Sequence, residues 1–224
     1  MCILIYKMED IRSMLIQELT LCLSNNVCMV DRLLHICNSY YEKPAHNLQD
    51  MKSRNTKIKG DIFECFTQLY LKDIYGLKEV WLLNEIPEDI RIKLNLRRKD
   101  YGIDLVGIDI NGKLYAIQSK FRKRSVNRKV CISWKELSTF YALCERTGPY
   151  DKYIVFTTAD YVNRIGKKTQ KDITIGFNQL LKLSHFDWIK ICGSLKTNQN
   201  IITQQQSFSL EELRQKRLKF LESQ

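Results

Sequence analysis

The sequence predicts a mixed α/β domain in which helices flank a central mixed β-sheet. Three observations indicate it: a hairpin turn signal at Asn111-Gly112, a continuous apolar run at residues 152–158, and helical patterns before and between these strands. The resulting order, helix, strand, strand, strand, helix, strand, is typical of α/β and α+β domains. With 224 residues, 44% of them hydrophobic, the chain can bury a core and is not a disordered protein.

The first part of the chain is predicted to be a helical extension over residues 1–55. Its first fifty residues lack glycine, and their apolar residues suit two helices, near residues 9–24 and 29–42. Residues 43–58 are polar, contain Pro44 and are predicted to form a linker. The rest divides into a central domain and a C-terminal polar loop with a helix, at residues 56–195 and 196–224.

The central domain is predicted to alternate helices and strands. A helix over residues 61–75 should end at Gly76, because glycine favours the position just after a helix. Ser133 and Glu136 have the spacing of a capping box and begin a second helix, which ends at Gly148-Pro149. The other predicted elements are a strand at residues 80–83, the two hairpin strands, a strand at residues 152–158, a helix at residues 177–183 and a strand at residues 188–192.

Positive charge is clustered in this sequence. The formal net charge is +11, and residues 120–129 contain six basic residues and no acidic residue. Further basic clusters lie at residues 97–99 and 164–171. Such clusters suit a polyanion, because neutralising phosphates releases their counterions. For the basic residues of the C-terminal helix alone, a solvated surface is the better interpretation.

The cysteines and the lack of targeting signals predict an intracellular protein. None of the eight cysteines lies in a C-x-x-C pair, so we expect reduced, mostly buried thiols rather than disulfides or zinc ligands. The first residues lack the basic and small residues of a signal peptide, and no apolar run reaches about 18 residues. We therefore expect a cytoplasmic or nuclear protein that is neither secreted nor bound to a membrane.

Four polar residues lie where a hydrolytic site could be assembled: Glu64, Asp104, Gln118 and Lys120. Gln118 and Lys120 are two positions apart on one strand and therefore share a face. A two-residue hairpin loop would pair Asp104 with Ser119, on the opposite face. A three-residue loop with Gly112 in the left-handed conformation would instead place Asp104 opposite Gln118. An active site here requires that bulged turn, or another one-residue slip before Asp104.

These residue types suit the hydrolysis of a phosphodiester. Magnesium prefers hard oxygen ligands and keeps several waters; Asp104 supplies a carboxylate and Gln118 an amide oxygen. Glu64 could bind the cation directly or hold one of its waters. Lys120 could orient or deprotonate the attacking water, or neutralise developing charge. Because Gln118 brings no negative charge, we expect weak binding of a single cation, Mg²⁺ or Mn²⁺.

The ordered set of motifs resembles the PD-(D/E)XK nuclease superfamily, and its Mrr-type restriction endonuclease branch in particular. GIDLVGIDINGKLYAIQSKFR at residues 102–122 resembles that branch's aspartate strand followed by Q-x-K. GDIFECFTQLYLKDIYG at residues 60–76 is similar to the family's first helix with its glutamate, and VFTTADY at residues 155–161 resembles its strand-and-threonine segment. The likeness runs in order over roughly residues 58–185. Ile103 departs from it, because the superfamily pattern has proline there.

The resemblance implies a restriction-endonuclease-like fold and a metal-dependent deoxyribonuclease. It implies that Asp104, Gln118 and Lys120 are the core catalytic residues and Glu64 the accessory acid, with Asp104, Gln118 and Glu64 as metal ligands. DNA would be the substrate, bound by the basic residues Arg122, Lys123, Arg124, Arg128, Lys129, Lys167 and Lys168. Domains of this kind also occur beside helicases. The sequence has no Walker-type motif, so a helicase would be another chain or a part missing from this sequence.

Two other functions are open at this point. A nucleic-acid-binding module of the same fold would bind DNA without cutting it; Gln118 favours this alternative and Lys120 argues against it. A protein-interaction role is the third, in which the N-terminal helices recruit a helicase or polymerase. Double-strand cutting with one site per chain would require a homodimer.

Overall fold

The computed structural model describes residues 8–23, 28–39, 48–97, 102–124, 127–163 and 169–193. Its strands are β1 (Glu79–Leu82), β2 (Leu105–Ile108), β3 (Leu114–Lys120), β4 (Cys131–Ile132), β5 (Lys152–Thr157), β6 (Tyr161–Val162) and β7 (Asp172–Ile175). Its helices are α1 (Met8–Leu23), α2 (Met29–Ser39), α3 (Leu48–Asp73), α4 (Glu88–Lys93), α5 (Trp134–Arg146), α6 (Phe177–Leu180) and α7 at residues 185–193.

A five-stranded mixed sheet organises these elements. Its strand order is β1-β2-β3-β5-β7, and β4 and β6 form a separate two-stranded sheet. β1, β2 and β3 are antiparallel neighbours, whereas β5 and β7 run parallel to β3. The parallel pairing of β3 with β5 requires a crossover, which α5 provides. The prediction of a mixed sheet flanked by helices is confirmed.

The two faces of the sheet bury different helices. Odd-numbered residues of β3 such as Ile117 join a core with α1, α2, α3 and α7. Even-numbered residues such as Ala116 join a second core with α5. Because side chains alternate along a strand, Gln118 and Lys120 belong to the α5 face.

The N-terminal helices share the first core with the sheet. Leu15, Leu19 and Leu33 are fully buried in it. Arg12 of α1 donates to Gln68 Oε1 at 2.8 Å and pairs with Glu85 at 2.6 Å. These contacts join α1 to α3 and to the turn after β1.

The linker predicted at residues 43–58 is wrong from residue 48 onward, because α3 begins there. Residues 48–58 contain neither glycine nor proline, and most of them are good helix formers. Their polarity therefore does not prevent a helix. The boundary at residue 55 falls inside α3, and the division of the chain into an extension and a central domain stays a prediction.

The strand predicted at residues 188–192 is also wrong, because these residues belong to α7. The Ser184 N–H and hydroxyl donate to Asp187 Oδ2 at 2.9 and 2.7 Å, which caps the helix start. Trp188 and Ile191 are buried at helical spacing. The C-terminal helix predicted within residues 196–224 lies outside the described residues.

The cysteines of the described residues are free thiols, four of them buried: Cys37, Cys65, Cys144 and Cys192. Burial raises the pKa of Cys37 and of Cys65 to about 12, so both thiols are protonated at neutral pH. Within the described part of the chain they are reduced core residues, as predicted. No helix there is long and apolar enough to cross a membrane.

Truncating Leu19 should destabilise the whole domain, because its side chain is fully buried where α1 meets the core. We expect Leu19→Ala to lower the free energy of unfolding by about 2–5 kcal/mol in urea titrations. Leu21→Ala is the matched control on the same helix; Leu21 is 61% exposed, so the change should be within about 0.5 kcal/mol. Equal values for the two variants would contradict the packing of α1.

Candidate active site

The hairpin between β2 and β3 has the bulged turn that an active site here requires. The Asp109 N–H donates to the Lys113 carbonyl and the Gly112 N–H to the Asp109 carbonyl, each at 3.1 Å. Gly112 has a φ of 79°, the left-handed conformation that glycine adopts without strain. The Asp109 carboxylate also accepts the N–H groups of Asn111 and Lys113 at 2.8 and 2.9 Å. The prediction of a three-residue loop is confirmed.

This turn sets the register that brings the polar residues together. Leu105 pairs with Ile117, so the residue before it, Asp104, lies opposite Gln118. The Asp104 N–H donates to the Ile117 carbonyl, opposite Leu105, at 3.0 Å, so Asp104 is still bonded to β3 where regular pairing ends. A one-residue slip would have turned Asp104 to the other face.

The Asp104 carboxylate closes the gap where β2 and β3 separate. Its Oδ2 accepts the Ser119 N–H at 2.7 Å and a hydrogen bond from Gln118 Nε2. A side-chain oxygen thus takes the backbone N–H that a continued strand would have paired. The carboxylate is held against β3 by two donors.

The charge of Asp104 depends on its neighbours. Burial raises the pKa of its carboxyl, while the charge of Lys120, the Ser119 N–H and the Gln118 amide act to lower it. Lys120 is partly buried, two residues beyond Gln118 on the same face. The structure therefore brings Asp104, Gln118 and Lys120 into one site.

Glu64 lies on the helix that covers the other face of the sheet. Thr67 Oγ1 and Ser119 Oγ are 2.9 Å apart, which places α3 over the odd-numbered residues of β3. The rings of Phe63 and Phe121, 5.5 Å apart, set this turn of α3 beside the end of β3. Glu64 is partly buried at that level. To join the site it would have to reach around the strand end, so its accessory role stays a prediction.

The donor set fits one weakly held divalent cation. Asp104 offers a partly buried carboxylate that favours a counter-charge, and Gln118, which donates through Nε2, keeps its Oε1 as an acceptor. Oxygen donors of this kind suit Mg²⁺ or Mn²⁺, with water in the remaining positions. No group of three or more His, Cys, Asp or Glu side chains among the described residues could hold a metal.

Two threonines at the end of β5 hold the backbone on both sides of Phe121. The Thr157 hydroxyl donates to the Lys120 carbonyl at 2.7 Å. The Thr158 hydroxyl accepts the Arg122 N–H at 2.7 Å and donates to the Arg122 carbonyl at 2.8 Å. Both threonines are fully buried, so these bonds are shielded from water. The backbone that carries Lys120 is fixed where regular pairing ends.

The basic residues predicted to bind DNA differ in their surroundings. The exposed ones are Lys123, Arg128 and Lys129. The Arg122 guanidinium pairs with Glu136, and that of Arg124 pairs with Asp160 at 2.8 Å. Two more, Lys167 and Lys168, lie outside the described residues.

Sequence reasoning missed the partners of these two arginines. Glu136 accepts the Ser133 N–H at 2.9 Å, as its capping-box spacing predicts, but nothing local indicates its second bond, to Arg122. For Asp160, and for Thr157 and Thr158, the available signal was the segment VFTTADY, which places these residues at the end of a predicted buried strand.

Comparison with known proteins gives one family match. A restriction endonuclease family model of the Mrr type matches residues 72–198, more than half of the chain. A search of curated protein sequences gives no match. A solved structure, protein VC1899 from Vibrio cholerae, is 14% identical with a TM-score of 0.32, and the alignment covers 83% of this chain and 52% of that one. This chain thus spans about half the length of that protein.

A divalent cation should stabilise the protein through Asp104. With Mn²⁺ or Mg²⁺ at roughly ten times its Kd, we expect the Tm of the wild type to rise by about 3–5 °C. Asp104→Asn should abolish this rise, because asparagine can still accept the Ser119 N–H but brings no charge to the cation. The measurement is thermal unfolding with and without the cation.

Asp151→Asn is the matched control for that experiment. Asp151 is exposed and also accepts a backbone N–H, that of Leu114 at 2.8 Å, at the opposite end of β3. Its cation response should equal that of the wild type. A rise of the same size in Asp104→Asn would remove Asp104 from the cation site.

Proposed function

Because the chain belongs to the Mrr-type restriction endonuclease family, we propose that it is a metal-dependent endonuclease that hydrolyses phosphodiester bonds in DNA. Family membership supports nuclease chemistry at the coarse level. DNA as the substrate, the divalent cation and the residue roles are our proposal.

The hairpin register is the observation that carries the proposal. It places Asp104 against Gln118, and the charge of Lys120 acts on the same carboxylate. These residues lie where β2 and β3 separate, with exposed Lys123 three residues beyond the end of β3. A phosphate at this strand end would meet a carboxylate, an amide and several cations within one short stretch.

Each residue has a distinct chemical task in this proposal. Asp104 and the Oε1 of Gln118 hold the cation, with Glu64 as the accessory acid. When bound, a divalent cation adds positive charge beside the phosphate and acidifies a water. Lys120 orients or deprotonates the attacking water, or neutralises the charge that develops on the phosphate. Exposed Lys123, with Arg128 and Lys129, neutralises neighbouring phosphates of the strand.

A non-catalytic DNA-binding module is the second candidate. The observation that favours it is the hydrogen bond from Gln118 to Asp104, which satisfies the carboxylate without a cation. Such a module would use the basic surface and the fold without hydrolysis. The two candidates differ in whether the protein cleaves DNA when a divalent cation is present.

The biological setting is proposed at a coarser level. Restriction, repair and recombination all use DNA cutting, and a homodimer would allow one site per chain to cut both strands. A helicase partner is proposed from the family resemblance alone. The free thiols of the described residues support an intracellular location.

Replacing Lys120 should abolish cleavage while DNA binding persists. In a nicking assay on supercoiled plasmid with Mg²⁺, Mn²⁺ or EDTA, we expect the wild type to nick only with a divalent cation. Lys120→Ala should lower the rate by about 10²-fold or more, because it removes a charge at the reacting phosphate.

Lys113→Ala is the matched control, since Lys113 is exposed about 23 Å away at the other end of β3. It removes the same charge and should nick at the wild-type rate. Nicking by Lys120→Ala at the wild-type rate would refute the site. Salt-sensitive plasmid binding without nicking by the wild type would favour the binding module.

A further inference from the structure

The carboxylate of Asp160 joins the two ends of the basic segment that follows β3. Its Oδ1 accepts a hydrogen bond from Arg124 Nη1 at 2.8 Å, and its Oδ2 accepts the Val130 N–H at 2.7 Å. The Asp160 N–H in turn donates to the Val130 carbonyl at 2.8 Å. One residue therefore bonds to both described arms of this loop, at Arg124 and at Val130.

Arg124 is held on more than one side. Its guanidinium lies 3.6 Å from the centre of the Phe177 ring, and its Nη1 also donates to the Thr158 carbonyl at 3.3 Å. The Asp160 pair completes this arrangement, with side-chain exposures of 25% for Arg124 and 17% for Asp160. The Arg124 guanidinium therefore stabilises the fold. The DNA contact predicted for Arg124 would require these interactions to break.

The same connections leave other cations facing outward. Lys123, Arg128 and Lys129 are exposed on the two arms of the loop. Cys131 pairs with Tyr161 in the small sheet, so the second arm continues into a strand next to Asp160. The Val130 N–H holds the pKa of Asp160 below its ordinary value, and the charges of Arg124 and Lys129 act in the same direction. Asp160 is therefore ionised at neutral pH, as its bonds require.

We propose that Asp160 is a positioning residue for nucleic-acid binding, which presents Lys123, Arg128 and Lys129 as a preordered surface for the phosphate backbone beside Lys120. This inference rests on the proposed function and adds to it the residue that orders the DNA-contacting surface. Arms fixed before binding lose less conformational entropy when phosphates dock on their side chains. An acidic residue thereby promotes the binding of a polyanion.

The direction in which one substitution changes the affinity for DNA tests the proposal. Asp160→Asn keeps an acceptor for the Val130 N–H but presents an amide donor to the Arg124 guanidinium, which opens the loop. It also makes the chain more positive, so electrostatics alone predict tighter DNA binding. We expect binding about three- to tenfold weaker instead. The measurement is fluorescence anisotropy of a labelled DNA duplex in EDTA, where no cleavage occurs.

Asp151→Asn is the control, because it makes the same charge change at the opposite end of β5 and should bind slightly more tightly or equally. Asp160→Glu keeps the net charge but alters the geometry; it should also weaken binding, and it decides the matter if Asp160→Asn does not fold. Equal or tighter binding by the folded Asp160 variant would overturn the inference. Weaker binding with a wild type that never nicks plasmid would support it while refuting the nuclease proposal.

Discussion

The hydrogen bond from the Asp109 N–H to the Lys113 carbonyl determines whether Asp104, Gln118 and Lys120 lie on one face of the sheet. It sets a loop of odd length, and with side chains alternating along each strand it fixes which face every residue of β2 and β3 occupies. Asp104 thereby falls on the face of Gln118 and Lys120. The left-handed Gly112 and the Asp109 carboxylate, which accepts two N–H groups of the loop, stabilise this register. The site depends on a turn at the far end of the hairpin.

The site so formed contains little negative charge. Its carboxylate is that of Asp104, which is partly buried, and Gln118 supplies a neutral amide that donates to it. Burial opposes ionisation of Asp104, and Lys120 offsets that effect only in part, since the pKa stays raised. Additional positive charge, from a bound cation or from a closer approach of the Lys120 ammonium, would lower the pKa of Asp104 and favour its ionised form. The hydrogen bonds to Asp104 do not require a cation, because Gln118 Nε2 and the Ser119 N–H both donate to its Oδ2.

Local features were predictable and distant partners were not. The Asn111-Gly112 turn and the Ser133–Glu136 cap are encoded within a few residues, but the length of the hairpin loop, and with it the face of Asp104, stayed open between two alternatives. The start of α3 and the helical state of residues 188–192 were missed because polarity and short apolar runs do not distinguish helix from other states. The bond between Arg124 and Asp160 spans 36 residues and exists only because β3 and β5 are neighbours. No spacing rule in the sequence indicates it.

The N-terminal helices support the site through α3. α3 packs on α1 and α2 in the first core and, on its sheet side, contacts Ser119 through Thr67 and Phe121 through Phe63. Those two residues flank Lys120, whose carbonyl is bonded from the other neighbour strand by Thr157. The backbone of Lys120 is thus held by packing on one face and by hydrogen bonds along its edges, while its side chain projects to the opposite face. In the proposed nuclease, loss of the N-terminal helices would lower the cleavage rate by loosening this strand end, because catalytic groups must be held within a fraction of an ångström to be effective.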